Sequence, residues 1–232
     1  MTRTSDTSSP AAAPIGAALL DAVAVMDRLR SPGGCPWDAE QTHASLAPYL
    51  LEEAYEAYQA LEDGDLPALR DELGDVLLQV LFHARLAEEL PEGERWSIDD
   101  VASGLVEKLK RRHPHVFGDV TVTGADDVNR NWEQIKAAER AGKPSVATVP
   151  LAAPALTLAA KLQRKGAVEA TPDASVFLAA AERFATDTSA DAAGELLWAA
   201  VALMRAHDID AETALRARAR RFRDQVLASE TS

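Results

Sequence analysis

The sequence predicts an all-α protein, and three observations support this fold class. Hydrophobic residues make up 47% of the 232 residues, enough for a sizeable core, while aromatic residues make up only 5%. Ala and Leu are abundant, which favours closely packed helices over a β-sandwich. Apolar residues also recur at helical spacing, as in the stripe near the start of the chain formed by Leu19, Val23, Met26 and Leu29.

Composition and charge exclude several classes of protein. The net charge of −13 argues against a nucleic-acid-binding surface, and it would repel a polyphosphate unless a metal and a few cations intervene. Cys35 is the single cysteine, so we expect no internal disulfide and no cysteine-based zinc site. No apolar run of 18 or more residues occurs, and no signal peptide is evident, so we expect a cytoplasmic protein without a membrane span.

The chain divides into a tail and two helical regions. Residues 1–14 are rich in Ser, Thr, Ala and Pro, which predicts a disordered tail. Five helices are predicted in the first region, near residues 15–30, 43–62, 67–89, 97–113 and 126–140. A linker with Gly and Pro is predicted at residues 142–154. Four helices follow, near residues 155–165, 173–187, 190–207 and 211–228. We expect a Pro- and Gly-rich loop at residues 31–38 and an extended segment at most over residues 116–122.

Two acidic pairs stand out in the first region. Glu53 and Glu56 are three residues apart, as are Glu72 and Asp75, and residues three apart share one face of a helix. Gly64, followed by Asp-Leu-Pro, predicts a turn between two helices. The outer members of the two pairs are equally distant from Gly64, and so are the inner members. An antiparallel helical hairpin would therefore bring four carboxylates to one level.

These carboxylates form either solvated helix faces or a metal site. No Lys or Arg occurs between residues 43 and 64, so the glutamates there have no local cation. Residues 76–82 are apolar on nearly every side, which predicts a buried helix directly after Asp75. Partly buried carboxylates are neutralised, paired or bound to metal, and a hard cation such as Mg²⁺ is the simplest partner for oxygen ligands.

Two further pairs of residues are candidates for contacts with an anionic or aromatic ligand. Lys108 and Arg112 are four residues apart near the end of a helix that Pro114 stops. Their charges either complement the helix dipole or bind an anion. Trp132 and Lys136 are also four apart, although a tryptophan with this spacing more often packs in a core than stacks on a base.

The second region contains a weak internal echo of the first. The segment GELLW at residues 194–198 resembles GDVLL at residues 74–78. Ala192 stands where Glu72 stands in the first region, and the preceding helix has no acidic pair. One carboxylate holds a hydrated Mg²⁺ poorly, so we expect a structural repeat without a metal site.

Five motifs occur in order along residues 20–140: CPWD with QTH at 35–43, EEAYE at 52–56, ELGD at 72–75, KLKRRHPHVF at 108–117 and WEQIK at 132–136. Together they resemble the MazG nucleoside triphosphate pyrophosphohydrolases. From residue 155 onward, KLQRKGA at 161–167 and the echo resemble the second repeat of two-repeat family members. One such motif alone is weak, but five in order are highly specific.

The resemblance implies an architecture and a reaction. It implies four-helix bundles in a tight homodimer, with a catalytic domain at residues 15–141 and a degenerate MazG-like repeat at residues 155–232. It also implies hydrolysis of a nucleoside triphosphate between the α- and β-phosphates, giving the monophosphate and pyrophosphate. The implied cofactor is Mg²⁺, with Mn²⁺ as a substitute.

The resemblance also implies roles for individual residues. The metal ligands match Glu53, Glu56, Glu72 and Asp75, and Glu52 matches either an auxiliary ligand or an acid behind the ligands. The cations that meet phosphate match Lys108 and Arg112. The residues that stack on the base and contact the ligand match Trp132 and Lys136. Because a tryptophan face accepts any base, we expect broad specificity.

Two alternative functions remain open. The first is an all-α pyrophosphatase with narrow specificity for dUTP, dCTP or a phosphoribosyl-nucleotide. The second is a catalytically inactive helical scaffold that only dimerises. The four unpaired carboxylates argue against the scaffold, because an inactive site has no physical need for them.

Overall fold

The computed structural model describes residues 14–139 and 142–230, and this part of the chain contains helices and no strand. The predicted all-α class is therefore confirmed. The predicted disordered tail lies outside the described residues except for its last position. No helix in the described part is long and apolar enough to cross a membrane.

The chain forms two compact units, residues 1–124 and 125–232. The helices of the first unit are α1 (Ala17–Arg30), α2 (Pro36–Glu40), α3 (His43–Asp63), α4 (Leu66–Ala87), α5 (Ile98–Arg112) and α6 (Pro114–Phe117). Those of the second unit are α7 (Ala125–Glu139), α8 (Ala155–Lys165), α9 (Ser175–Thr186), α10 (Ala190–Ala206) and α11 (Ala211–Glu230), with a short 3₁₀ turn at Ser145–Thr148. The predicted domain at 15–141 and repeat at 155–232 stay predictions.

Local side-chain chemistry fixes the ends of α3 and α4. The Thr42 hydroxyl accepts a bond from the Ser45 N–H at 3.1 Å, and the Thr42 N–H donates back to the Ser45 hydroxyl at 2.9 Å. Gly64 ends α3 with a φ of 69°, which glycine adopts without strain. Asp65 then caps α4 through the Ala68 N–H at 3.0 Å. The predicted turn is thus present and joins the two helices directly.

Two segments predicted to be non-helical contain short helices. The loop expected at residues 31–38 gives way to α2 at Pro36, because proline fits the first turn of a helix without losing a hydrogen bond. The segment expected to be extended from residue 116 begins inside α6. Pro114 starts that turn, and the Phe117 N–H donates to the His113 carbonyl at 3.0 Å.

The core of the first unit joins α1, α3 and α4. It consists of Met26, Leu46, Leu81, Phe82 and Leu86, with Ile98 of α5 packed against it. The prediction of a helix buried on nearly every side is correct for Leu81 and Phe82. It is wrong for residues 77, 78 and 80, whose apolar side chains are 36–40% exposed. The helices α1, α3 and α5 of the same chain pack on the other faces of α4 and leave this face open.

In the second unit, α10 packs against α8 and α9. Its buried residues are small or β-branched, namely Ala192, Ala199 and Val201. The other apolar side chains of α10 are only partly buried: Val201 is enclosed, while Leu197 is 55% exposed. Gln163 of α8 is completely buried and links α8 to α10 by hydrogen bonds.

Candidate metal centre

The α3–α4 hairpin brings carboxylates from both helices together. Glu53, Glu56 and Glu72 each offer an oxygen, and these three atoms all lie within 4.8 Å of one another. Among the described residues, this is the only group of three or more carboxylate, histidine or cysteine side chains close enough to share a metal ion. Asp75 lies outside this tight group.

The four carboxylates of Glu53, Glu56, Glu72 and Asp75 are more exposed to solvent than the sequence predicted. Glu53 and Glu72 are half-buried, whereas Glu56 and Asp75 are exposed. These carboxylates are accessible because the adjoining face of α4, which carries the residues after Asp75, is not covered by the helices that pack on α4. A ligand can therefore reach all four side chains.

Electrostatic repulsion dominates the group. Burial raises the pKa of Glu53, and the neighbouring Asp75, Glu56, Glu52 and Glu72 raise it further. Like charges that cannot be separated favour the protonated form of a carboxyl.

The pKa of Glu72 is raised for the same reasons. Burial contributes most, followed by the charges of Glu56 and Asp75 and a hydrogen bond with the Glu56 carboxyl. Although Asp75 stands outside the tight group, it is close enough to act on both Glu53 and Glu72.

No cation of the described chain compensates this charge. Within residues 14–139 and 142–230, no Lys, Arg or His forms an ion pair with Glu53, Glu56, Glu72 or Asp75. Several carboxylate oxygens at short range with no counter-charge form the donor set that hard divalent cations prefer. The residues present thus fit a Mg²⁺ or Mn²⁺ ion.

The predicted phosphate-binding cations lie on another helix of the same unit. Lys108 and Arg112 occupy the last two turns of α5, which packs against α4. Lys108 is exposed and Arg112 is half-buried. Their position also complements the negative end of the α5 dipole.

The predicted base-stacking pair lies on α7, in the second unit. The Lys136 ammonium is 4.5 Å from the centroid of the Trp132 ring, and it pairs with Glu133 at 2.9 Å. Trp132 is 39% exposed, so it is not a buried core residue of its unit. One face of the ring carries the lysine, which is a cation–π contact.

The structure adds an aromatic and histidine cluster in the first unit, at the end of the α3–α4 hairpin away from the turn. The Nδ1 atoms of His43 and His83 are 2.8 Å apart, and the His43 ring lies 6.3 Å from that of Trp96. Burial, and then the charge of His43, lower the pKa of His83. His83 and Trp96 belong to none of the five motifs. A sequence signal could have found His83. His83 and His43 lie at similar sequence separations from Gly64, so an antiparallel hairpin brings them to the same level.

Comparisons with known proteins establish the family. A model described as the MazG nucleotide pyrophosphohydrolase domain matches residues 41–117. The nucleoside triphosphate pyrophosphohydrolase/pyrophosphatase MazG of Thermotoga maritima is 39% identical over 212 residues, covering 86% of this chain and 80% of that protein. The chain belongs to the MazG family. The resemblance drawn from the five motifs is confirmed.

Other relatives of this MazG chain differ in length. The uncharacterized 26.1 kDa protein in the blaB 3′ region of Streptomyces cacaoi is 46% identical over 216 residues, covering 93% of this chain and 84% of that protein. The nucleoside triphosphate pyrophosphohydrolase of Escherichia coli K12 is 47% identical over 145 residues, which is 61% of this chain. The matched region spans about half (54%) of that longer protein. The residues matched by the family model include the predicted metal ligands and phosphate-binding cations, namely Glu53, Glu56, Glu72, Asp75, Lys108 and Arg112.

Proposed function

We propose that this MazG-family chain is an enzyme that hydrolyses nucleoside triphosphates between the α- and β-phosphates. The products are a nucleoside monophosphate and pyrophosphate. The observation that carries the proposal is the convergence of Glu53, Glu56 and Glu72 with no compensating cation among the described residues. The names of the Thermotoga maritima and Escherichia coli relatives support the reaction class.

The carboxylate group is the proposed binding site of the catalytic metal. Glu53, Glu56 and Glu72 would hold Mg²⁺, or Mn²⁺ in its place, with Asp75 as a fourth ligand or a base and Glu52 as an auxiliary acid. The bound ion would neutralise triphosphate charge and lower the pKa of a coordinated water. The raised pKa values of Glu53 and Glu72 support this assignment, because they indicate negative charge that a cation would stabilise.

The proton of the attacking water needs an acceptor in the same group. Asp75 is our candidate, because it is exposed and stands outside the three closest carboxylates while still acting on Glu53. A carboxylate oxygen of Asp75 would accept the proton as the water attacks phosphorus. The pyrophosphate or the monophosphate then leaves, depending on which phosphorus is attacked.

The remaining predicted residues would bind the substrate. Lys108 and Arg112 would contact phosphate oxygens and stabilise charge that develops during cleavage. Trp132 would stack on the base, with Lys136 beside it. Stacking on a π-face depends little on the identity of the base, so we propose broad specificity for ribo- or deoxynucleotides.

We also propose that the enzyme acts as a homodimer in the cytoplasm, on the nucleotide pool. The exposed apolar side chains of Leu77, Leu78 and Val80 support a second copy as the partner. A groove of about 160 Å³ between α1 and α4 borders Leu77 and Leu78. A partner helix there would complete the four-helix bundle implied by the family. The net charge of −13 supports a protein that does not bind nucleic acid.

A product assay tests this function. The full-length protein is incubated with Mg²⁺ and each of the eight common nucleoside triphosphates, and products are identified by ³¹P NMR. We expect pyrophosphate and monophosphate from several nucleotides, and neither product from a Glu53→Gln variant. Cleavage of one pyrimidine nucleotide only would support the narrow alternative. Orthophosphate as the first product, or no cleavage by the wild-type protein, would contradict the proposal.

A further inference from the structure

The second unit contains a polar cavity that the proposed reaction does not use. The cavity has a volume of about 270 Å³ and lies where α8, the end of α10 and the start of α11 meet. Two guanidinium groups line it, from Arg164 of α8 and Arg205 of α10. Ala160 and Ala211 also line the cavity, and their small side chains leave it unfilled.

A buried amide orients one of the two guanidinium groups. The Arg205 Nη1–H donates to the Oε1 atom of Gln163 at 3.0 Å, and the Gln163 Nε2–H donates to the Trp198 carbonyl at 2.8 Å. Gln163 is completely buried, so its position is fixed by both bonds. Among the described residues, the other guanidinium N–H groups of Arg205 have no hydrogen-bond partner. The guanidinium group of Arg205 is thus held in place, and its remaining N–H donors are available to a ligand.

In the described part of the chain, no salt bridge holds either guanidinium group at the cavity, although the charge of Arg164 acts on the Asp210 carboxylate. Within residues 14–139 and 142–230, neither Arg164 nor Arg205 forms a salt bridge. Burial lowers the pKa of Arg205, and the charge of Arg164 lowers it further, so the two guanidinium groups repel each other. An anion between them would relieve both effects.

Two carboxylates also line the cavity, and they have different environments. Asp210 accepts a bond from the Thr213 N–H at 2.8 Å and so caps α11. The hydrogen bonds with Thr213, and then the charge of Arg164, lower the pKa of Asp210. Its cap occupies the start of α11, so an anion would depend on the guanidinium groups rather than on the helix dipole. Asp208 is exposed at the cavity, and its carboxylate has no hydrogen-bond or ion-pair partner among the described residues.

We propose that Arg164 and Arg205 form a binding site for a small phosphate monoester that carries hydroxyl groups. Guanidinium groups bind phosphate oxygens through paired N–H donors, and a phosphate monoester carries about −1.5 to −2 at neutral pH. Its charge would add to that of Asp210 in balancing the two guanidinium groups. Asp208 would accept a hydrogen bond from a ligand hydroxyl. The cavity lies just below the usual range of about 300–1,000 Å³ for drug-sized ligands, which favours a sugar phosphate over a nucleoside triphosphate.

Isothermal titration of the full-length protein tests the site. Ribose 5-phosphate is the main probe, with inorganic phosphate and free ribose as separate arms. EDTA keeps the carboxylate group of the first unit free of metal. We expect ribose 5-phosphate to bind more tightly than inorganic phosphate and free ribose not to bind. Arg164→Gln and Arg205→Gln should each weaken binding about tenfold or more, the scale of a lost hydrogen bond between charged groups.

Matched variants separate the site from general effects. Arg223→Gln removes an exposed arginine of α11 that pairs with Asp224 and does not line the cavity, so binding should be unchanged. Glu53→Gln should also leave binding unchanged, because it alters only the first unit. Asp208→Asn should weaken the binding of ribose 5-phosphate but not the binding of inorganic phosphate.

Folding controls keep the test decisive. Arg205→Gln removes a partner of buried Gln163, so its melting temperature is measured in parallel. Arg164 is exposed, so Arg164→Gln should keep the wild-type melting temperature. Arg205→Lys keeps the charge and should bind with intermediate affinity. The proposal is wrong if the wild-type protein binds neither phosphate compound, or if Arg164→Gln binds ribose 5-phosphate as the wild type does.

Discussion

Replacing Glu53 by Gln should weaken the proposed binding of Mg²⁺ to the first unit while preserving the fold. The substitution keeps the shape of the side chain but removes its charge. Without metal, we expect a melting temperature equal to or above that of the wild type, because burial and the surrounding carboxylates already disfavour a charged Glu53. Turnover should fall by orders of magnitude.

The effect of Mg²⁺ on melting gives this prediction a size. At a concentration 100 times Kd, a ligand stabilises the folded state by about 2.7 kcal/mol. For a chain of this length, 1 kcal/mol shifts the melting temperature by roughly 2–4 °C, so the wild type should gain roughly 5–11 °C. If the variant binds Mg²⁺ about 100-fold more weakly, the same concentration adds only about 0.4 kcal/mol, or roughly 1–2 °C.

The pH dependence of the metal-free protein provides a second readout. The raised pKa values of Glu53 and Glu72 mean that the folded state holds these protons more tightly than the unfolded state. Stability should therefore fall as pH rises from the ordinary glutamate pKa through the raised values. Glu53→Gln should flatten this slope.

Differential scanning fluorimetry, with and without Mg²⁺, measures both effects. Glu195→Gln is the matched control, because Glu195 is exposed on α10 at the position that echoes Asp75. It should show the wild-type gain with Mg²⁺. An equal Mg²⁺-dependent gain in wild type and Glu53→Gln would refute a metal site built on this residue.

Three further predictions address the reaction and the second unit. Hydrolysis in ¹⁸O-labelled water should place the label in the monophosphate or the pyrophosphate, as read by mass spectrometry. Label in orthophosphate released directly from the triphosphate would indicate a different cleavage. Trp132→Ala should raise KM for all nucleotides by a similar factor, since stacking contributes about 1–3 kcal/mol per base. An unchanged KM with a lower melting temperature would indicate a structural role instead. Glu195→Ala should keep turnover within about twofold of the wild type, as expected for a surface change. Activity as low as that of Glu53→Ala would reveal a working second site.

The hairpin at the centre of the first unit follows from local sequence. Thr42 and Asp65 supply caps, Gly64 supplies the left-handed residue, and the spacing of the acidic pairs matches the helical repeat. Each of these signals acts within a few residues, so the sequence alone reveals it. The convergence of Glu53, Glu56 and Glu72 follows from the same spacing.

Features that depend on distant partners could not be predicted in this way. The apolar run after Asp75 indicated burial, yet Leu77 and Leu78 stay exposed because α1, α3 and α5 pack on the other faces of α4. Hydrophobic pattern reports which residues avoid water but not which surface covers them.

The second unit shows the same limit. The echo at residues 194–198 predicted a packing helix without a metal site, and Ala192 is fully buried where the first unit has Glu72. A carboxylate at that buried position would be costly, which is consistent with the loss of the ligand set. The cavity lined by Arg164 and Arg205 depends on how three helices pack together, so no local sequence motif predicts it.

A crystal structure with Mn²⁺ and a non-hydrolysable nucleoside triphosphate tests the central claim most directly. The anomalous signal of Mn²⁺ locates the ion independently of the protein density. Our account predicts a peak within coordination distance, about 2.0–2.2 Å, of carboxylate oxygens from Glu53, Glu56 and Glu72, with the triphosphate bound to the same ion. An ordered triphosphate whose metal ion contacts none of these three residues would contradict it.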